Sequence, residues 1–139
     1  MTSQSGSAPD SSVHPRVRAL VADDVEAMRQ SLQMALTEAG LEVDCCASGS
    51  EALKALRVGR YDVAILDIWM PDVDGLAVLR TIRKEQPALR VFIISGGGPR
   101  LPLEAAALMA EVLGAEQVMV KPFYERDLVA AIRDPSRDR

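Results

Sequence analysis

The chain has 139 residues, 48% of them hydrophobic and 26% charged, with a formal net charge of −4. That composition supplies one ordinary hydrophobic core with no room for a second domain. An acidic balance without any basic run interleaved with aromatics excludes general affinity for a nucleic-acid backbone, and no run approaches the roughly 20 apolar residues of a membrane span.

Residues 1–15 are rich in Ser, Gly and Pro and read as a disordered tail that lacks the apolar core of a secretion signal. His14, the only histidine, falls in this tail, where nothing positions it for catalysis. The ordered pattern begins at Arg16. RALVA at Arg18 to Ala22 reads as a buried strand, and Val25 to Ala39 as a helix with Met28, Leu32, Ala35, Leu36 and Ala39 on one face, closed by Gly40. A second strand covers about Leu41 to Cys46. Its adjacent Cys45 and Cys46 point to opposite faces, so they form neither a standard disulfide nor a C-x-x-C site and read as small hydrophobes in a reducing, cytoplasmic setting.

Ser48 or Ser50 caps a short helix whose Leu53 and Leu56 face inward and which ends at Gly59. Tyr61 to Leu66 is the third strand, and Gly75 to Glu85 the third helix, with Leu76, Leu79 and Ile82 at spacings of three and Pro87 beyond its end. Arg90 to Ile94 is the fourth strand, Leu103 to Leu113 an alanine-rich helix stopped by Gly114, Gln117 to Val120 the fifth strand, and Glu125 to Arg133 the last helix. Residues 134–139 form a polar, charged tail.

Five strands alternating with five helices predict an α/β fold, a (βα)5 doubly wound parallel sheet with right-handed crossovers. The common order for this element count is the flavodoxin-like 2-1-3-4-5, with strands one and three side by side at the switch point where such sheets bind ligands. Asp23 and Asp24 follow strand one, Asp67 ends strand three, Ser95 follows strand four and Lys121 follows strand five, so all five fall on one edge. Three carboxylates held close together are tolerable at neutral pH mainly when a cation neutralises them. With oxygen donors only and no neighbouring His or Cys, that cation is a hard one, and Mg²⁺ suits a site that leaves room for water and phosphate oxygen. Lys121 and Ser95 add a point charge and a hydroxyl donor suited to a phosphoryl group. Asp23 or Asp24 as a cap of the first helix, and Lys121 and Ser95 as loop and turn residues, are the bland alternatives. Asp67 resists such a reading, because a carboxylate ending a buried strand needs a partner.

The Asp23-Asp24 pair, the Asp67-Ile68-Trp69-Met70-Pro71 run with Asp74-Gly75, Ser95, and Lys121-Pro122-Phe123 resemble, in this order, the CheY-like receiver domain of two-component response regulators. The resemblance covers about Val17 to Arg133 and places a receiver domain over residues 16–133. It implies that Asp67 is the phosphoacceptor for a sensor histidine kinase or a histidine phosphotransfer protein. It also implies that Asp24, Asp67 and the backbone carbonyl of Trp69 bind Mg²⁺, with Asp23 acting mainly through a water, and that Lys121 and Ser95 meet the phosphoryl oxygens. A conformational switch controlling a downstream target or a fused output domain follows from the same resemblance, as does a homodimer through the face of helix four, strand five and helix five.

Two departures bear on the output. The family often carries an aromatic three residues before its Lys, and here that position is Val118. The stretch from Ser95 to Lys121 is longer than usual and contains Gly96-Gly97-Gly98-Pro99 and Pro102. Swinging a two-state element from mostly off to mostly on takes about 5.5 kcal/mol, whereas one charge-assisted hydrogen bond supplies roughly 1.5–3 kcal/mol. Ser95 alone gives a partial shift, and the glycine-rich loop with helix four is the expected moving part. Two other function classes stand beside the phosphoacceptor. A Mg²⁺-dependent aspartyl phosphatase of the haloacid dehalogenase type wants a second Asp two positions after the first, where this chain has Trp69. A receiver-like interaction domain regulated without phosphorylation has no need of the acidic pocket and Lys121.

Overall fold

The computed structural model of the protein describes residues 16–96 and 102–134; the amino-terminal tail with His14, the Gly97-Gly98-Pro99 stretch and residues 135–139 lie outside them. Five parallel strands, β1 (Arg18–Ala22), β2 (Glu42–Cys46), β3 (Val63–Asp67), β4 (Arg90–Ser95) and β5 (Gln117–Val120), pair in the order β2-β1-β3-β4-β5. Helices α1 (Glu26–Glu38), α2 (Gly49–Val58), α3 (Gly75–Glu85), α4 (Leu103–Val112) and α5 (Glu125–Arg133) make the crossovers and cover both faces. The order is the 2-1-3-4-5 expected from the element count.

Coverage on both sides explains why β3 and β4 are almost continuously apolar. Alternate residues of each strand feed two cores. Leu20, Leu66 and Ile93 pack with Leu56, Leu79, Ile82 and Ala110 under α2, α3 and α4. Val21, Ile65, Phe92 and Ile94 pack with Leu32, Leu36, Leu128 and Ile132 under α1 and α5. Cys45 and Cys46 follow the same alternation, each half-buried against a different core, and both are free thiols; burial pushes Cys46 up to about 11. Helix α5 is fastened to its surroundings by polar contacts. Ser31 Oγ donates to Glu125, Arg133 donates to the carbonyl of Ala39, and the Arg90 guanidinium, paired with Glu116, donates to the last carbonyls of α5 at Ile132 and Ala131.

Some boundaries differ from the sequence pattern. The third strand begins at Val63 and runs through Asp67, although just before it the Asp62 amide donates to the Arg18 carbonyl at 2.8 Å and its carbonyl accepts the Arg90 amide at 3.2 Å. Tyr61 Oη donates to Asp44 at 2.7 Å beneath the Arg18 guanidinium, and the Asp62 carboxylate accepts the Arg18 amide at 2.8 Å. Strand β4 includes Ser95 as its last residue. Helix α1 is shorter than the apolar stripe, with Val25 and Ala39 as its flanking residues, and the chain leaves it through Gly40 at φ +97°. Helix α4 stops at Val112. None of the described helices is long and apolar enough to cross a membrane.

Ile65 is fully buried in the strand between β1 and β4. Ile65→Ala is expected to lower unfolding free energy in a urea titration by about 2–5 kcal/mol, whereas Val58→Ala, at a position 80% exposed, is expected to change it by less than about 0.5 kcal/mol.

Candidate functional site

Asp67 and Ser95 end their strands, and Asp23 and Lys121 are set in place by backbone bonds that continue the ladder just past the strands. The Asp23 amide donates to the Cys46 carbonyl at 3.2 Å, the Ile68 amide to the Ile94 carbonyl at 3.2 Å, and the Lys121 amide to the Ser95 carbonyl at 2.9 Å. Asp67 is itself in register with Ile94, and Ser95 with Val120. The side chains therefore inherit their spacing from the sheet.

Asp23, Asp24 and Asp67 each offer a carboxylate oxygen within 4.8 Å of the others. Asp23, Asp67 and Ser95 are buried, while Asp24 is exposed. The Lys121 ammonium reaches between the two buried carboxylates, 3.2 Å from Asp23 Oδ2 and 3.5 Å from Asp67 Oδ1. The remaining Asp23 oxygen accepts the Val25 amide at 2.9 Å, and Arg29 Nη1 donates to the Asp23 backbone carbonyl at 2.8 Å. Asp23 thus closes the turn that leads into α1 and faces Lys121 at the same time, whereas Val25, the N-cap residue of α1, has no side-chain acceptor to cap the helix.

One ammonium against three carboxylates leaves the site short of positive charge. Burial first, and the Asp23 charge second, push the Asp67 carboxyl up from 3.8 to about 6; Lys121 pulls the other way, and Asp24 adds a smaller upward push. The three grouped ligands are all aspartates, which fits a hard divalent cation such as Mg²⁺ better than a softer transition metal.

Trp69 sits two residues beyond Asp67, with its side chain half-buried against the core under α2 and α3 and its indole N–H donating to no acceptor among the described residues. Val118 is in register with Ile93 and packs against the same core, three residues before Lys121. The sequence pattern missed Arg29, whose polar position on α1 looks solvated but whose guanidinium bonds to the backbone of Asp23. It also missed Asp72, whose carboxylate accepts from the Ser50 amide and hydroxyl at 3.1 and 2.5 Å. Ser50 had been a candidate cap for α2; Ser48 fills that role, accepting the Glu51 amide at 3.2 Å.

Comparison with known proteins places this geometry in context. The family model described as response regulator receiver domain matches residues 19–133. The response regulator MprA of Mycolicibacterium vanbaalenii is 35% identical over 117 residues, covering 84% of this chain and 49% of the relative. The DNA-binding transcriptional regulator NtrC of Klebsiella pneumoniae is 38% identical over 114 residues, which are 82% of this chain and 24% of that protein. This chain therefore spans half or less of the length of these relatives. Among solved structures, a CheY-like receiver domain protein of Methanospirillum hungatei superposes with a TM-score of 0.78 at 28% identity, covering 85% of this chain and 91% of that one. A receiver domain protein from Clostridium thermocellum superposes with a TM-score of 0.76 at 32% identity, covering 84% and 90%.

The raised Asp67 carboxyl makes the fold pH-sensitive. A folded value above the unfolded one means that protonation favours the folded state, so this contribution is fully present below 3.8 and is lost as pH rises through about 6. Without divalent ions at pH 7.5, Asp67→Asn is expected to be more stable than the parent by up to on the order of 3 kcal/mol, with the gap closing toward pH 4. Thermal melts across that range, with and without Mg²⁺, check this; Mg²⁺ is expected to raise the melting temperature of the parent more than that of the variant.

Proposed function

The chain belongs to the response regulator receiver domain family, and from that premise we propose that it accepts a phosphoryl group on Asp67 from the phosphohistidine of a sensor histidine kinase or histidine phosphotransfer protein, with Mg²⁺ as cofactor. The observation that carries the reading is the Lys121 ammonium held between the buried Asp23 and Asp67 carboxylates beside Asp24, one positive group against three carboxylates. In this reading Asp24, Asp67 and the Trp69 backbone carbonyl hold the ion, and Asp23 acts through an intervening water. When bound, Mg²⁺ supplies positive charge at a phosphoryl oxygen.

The chain's own residues do the rest by positioning. An ionised Asp67 oxygen attacks phosphorus, the bond from phosphorus to the donor imidazole nitrogen breaks, and the imidazole leaves with the electron pair, giving an aspartyl phosphate. Lys121 moves its ammonium onto a phosphoryl oxygen, replacing the ion pair it makes with Asp67. Ser95, at the end of the neighbouring strand, donates its hydroxyl to another. Val118 offers no ring to follow that hydroxyl, so we assign the conformational response to the loop before α4 together with α4, read by a downstream target or a fused output domain. The protein acts in the cytoplasm as a signalling module whose only turnover is slow loss of its own phosphoryl group.

Incubation with Mg²⁺ and acetyl phosphate is expected to add one phosphoryl group to the intact mass. Asp67→Asn is expected to abolish the adduct, and Lys121→Ala to slow its formation by on the order of 100-fold. An unchanged mass for the parent protein in the presence of Mg²⁺ contradicts the reading.

A further inference from the structure

The loop between β3 and α3 is held from outside by the start of another helix. Ser50 lies in the first turn of α2 and donates both its amide and its hydroxyl to the Asp72 carboxylate, at 3.1 and 2.5 Å. The Val73 amide donates to the same carboxylate. Asp72 takes this position with a backbone φ of +64°, in the left-handed region that side chains rarely adopt, and among the described residues it alone does so without being glycine. Such a conformation persists where the surroundings over-determine it.

The contact between loop and helix is close at two further points. A Cβ on Gly49 would lie 1.8 Å from the Val73 carbonyl oxygen, so the loop backbone rests directly on the first turn of α2. A Cβ on Gly75 would lie 2.2 Å from the Asp67 carbonyl oxygen, and the Gly75 amide donates to the Ile68 carbonyl at 2.9 Å, so the far end of the loop folds back over the phosphoacceptor strand. The loop is closed at its base by the Ile68 to Gly75 bond and anchored at its tip by Asp72. Trp69 lies between the two fixed points.

We propose that Asp72 is a positioning residue: by fastening the loop to the first turn of α2, it holds the Trp69 carbonyl where it completes the cation site with Asp24 and Asp67. The proposal rests on the phosphoacceptor reading, since that reading assigns the Trp69 carbonyl to the ion. Asp72 acts through hydrogen-bond acceptance and not through its charge. Partners of this kind behind metal ligands commonly tune affinity by 10–100-fold.

The test is Mg²⁺ affinity of the full chain, followed by calorimetry and by the fluorescence of Trp69, the only tryptophan. Asp72→Ala is expected to weaken Mg²⁺ binding by about tenfold. Asp72→Asn keeps an acceptor for the amides but removes the charge, and is expected to restore affinity to within about threefold of the parent. Ser50→Ala, which keeps the amide and loses the hydroxyl, is expected to fall between them. Glu51→Ala removes the bond that Glu51 accepts from the Ala47 amide at the start of the same helix, away from the Ser50 to Asp72 contact; it is expected to lower the melting temperature and leave Mg²⁺ affinity unchanged. Parental affinity in Asp72→Ala and Ser50→Ala overturns the proposal. So does an Asp72→Asn variant as weak as Asp72→Ala, which marks a charge effect, or a loss in Glu51→Ala as large as in Asp72→Ala, which marks a general loosening of α2. If Asp72→Ala does not fold, Ser50→Ala against Glu51→Ala decides on the same criterion. A parent protein that binds no Mg²⁺ overturns the phosphoacceptor reading itself, an outcome distinct from parental affinity retained in the variants.

Discussion

Two carboxylates, Asp23 and Asp67, are buried side by side at the end of an apolar sheet with a single ammonium between them, and much else in the molecule serves to keep them there. Isolated buried charges are costly, and here Lys121 offsets part of that cost while Asp24 adds a third negative charge at the rim. A cation bound beside these carboxylates favours their ionised forms. Burial together with this charge imbalance pushes the Asp67 carboxyl up to about 6, so acid favours its neutral form.

The sheet carries the load of this arrangement. Strands β1, β3 and β4 are buried on both faces, so their register cannot slip without moving apolar side chains out of both cores. Ladder bonds that continue to Asp23, Ile68 and Lys121 pass that rigidity to the site. Asp23 is locked further, with one oxygen on the Val25 amide, the other facing Lys121, and its carbonyl on Arg29. Asp24 is exposed at the rim beside these fixed groups.

Much of this was legible in the sequence, because the information was local or periodic. Apolar runs interrupted by Gly, Pro and capping residues located every strand and helix, and Gly75, the spacing of Leu76, Leu79 and Ile82, and Pro87 beyond its end delimited α3. The edge position of Asp67, Ser95 and Lys121 followed from where each run ended. What escaped were polar residues whose partners lie far along the chain. Asp72 and Ser50 are 22 residues apart, and Tyr61 and Asp44 are 17 apart. On their own elements such residues look solvated, and only the packing of α2 against the loop after β3, or of β2 beside β1, gives them a partner.

On the proposed reading the carboxylate at position 67, and no other, carries the phosphoryl group. An aspartyl phosphate is an activated acyl group, and borohydride reduces it to a primary alcohol, converting that aspartate to homoserine. Reduction of protein treated with Mg²⁺ and acetyl phosphate, followed by peptide mapping by tandem mass spectrometry, reads the position directly. Homoserine is expected at residue 67 alone, dependent on Mg²⁺. Homoserine at residue 23, 24, 72 or 74, or none anywhere after treatment, contradicts that reading.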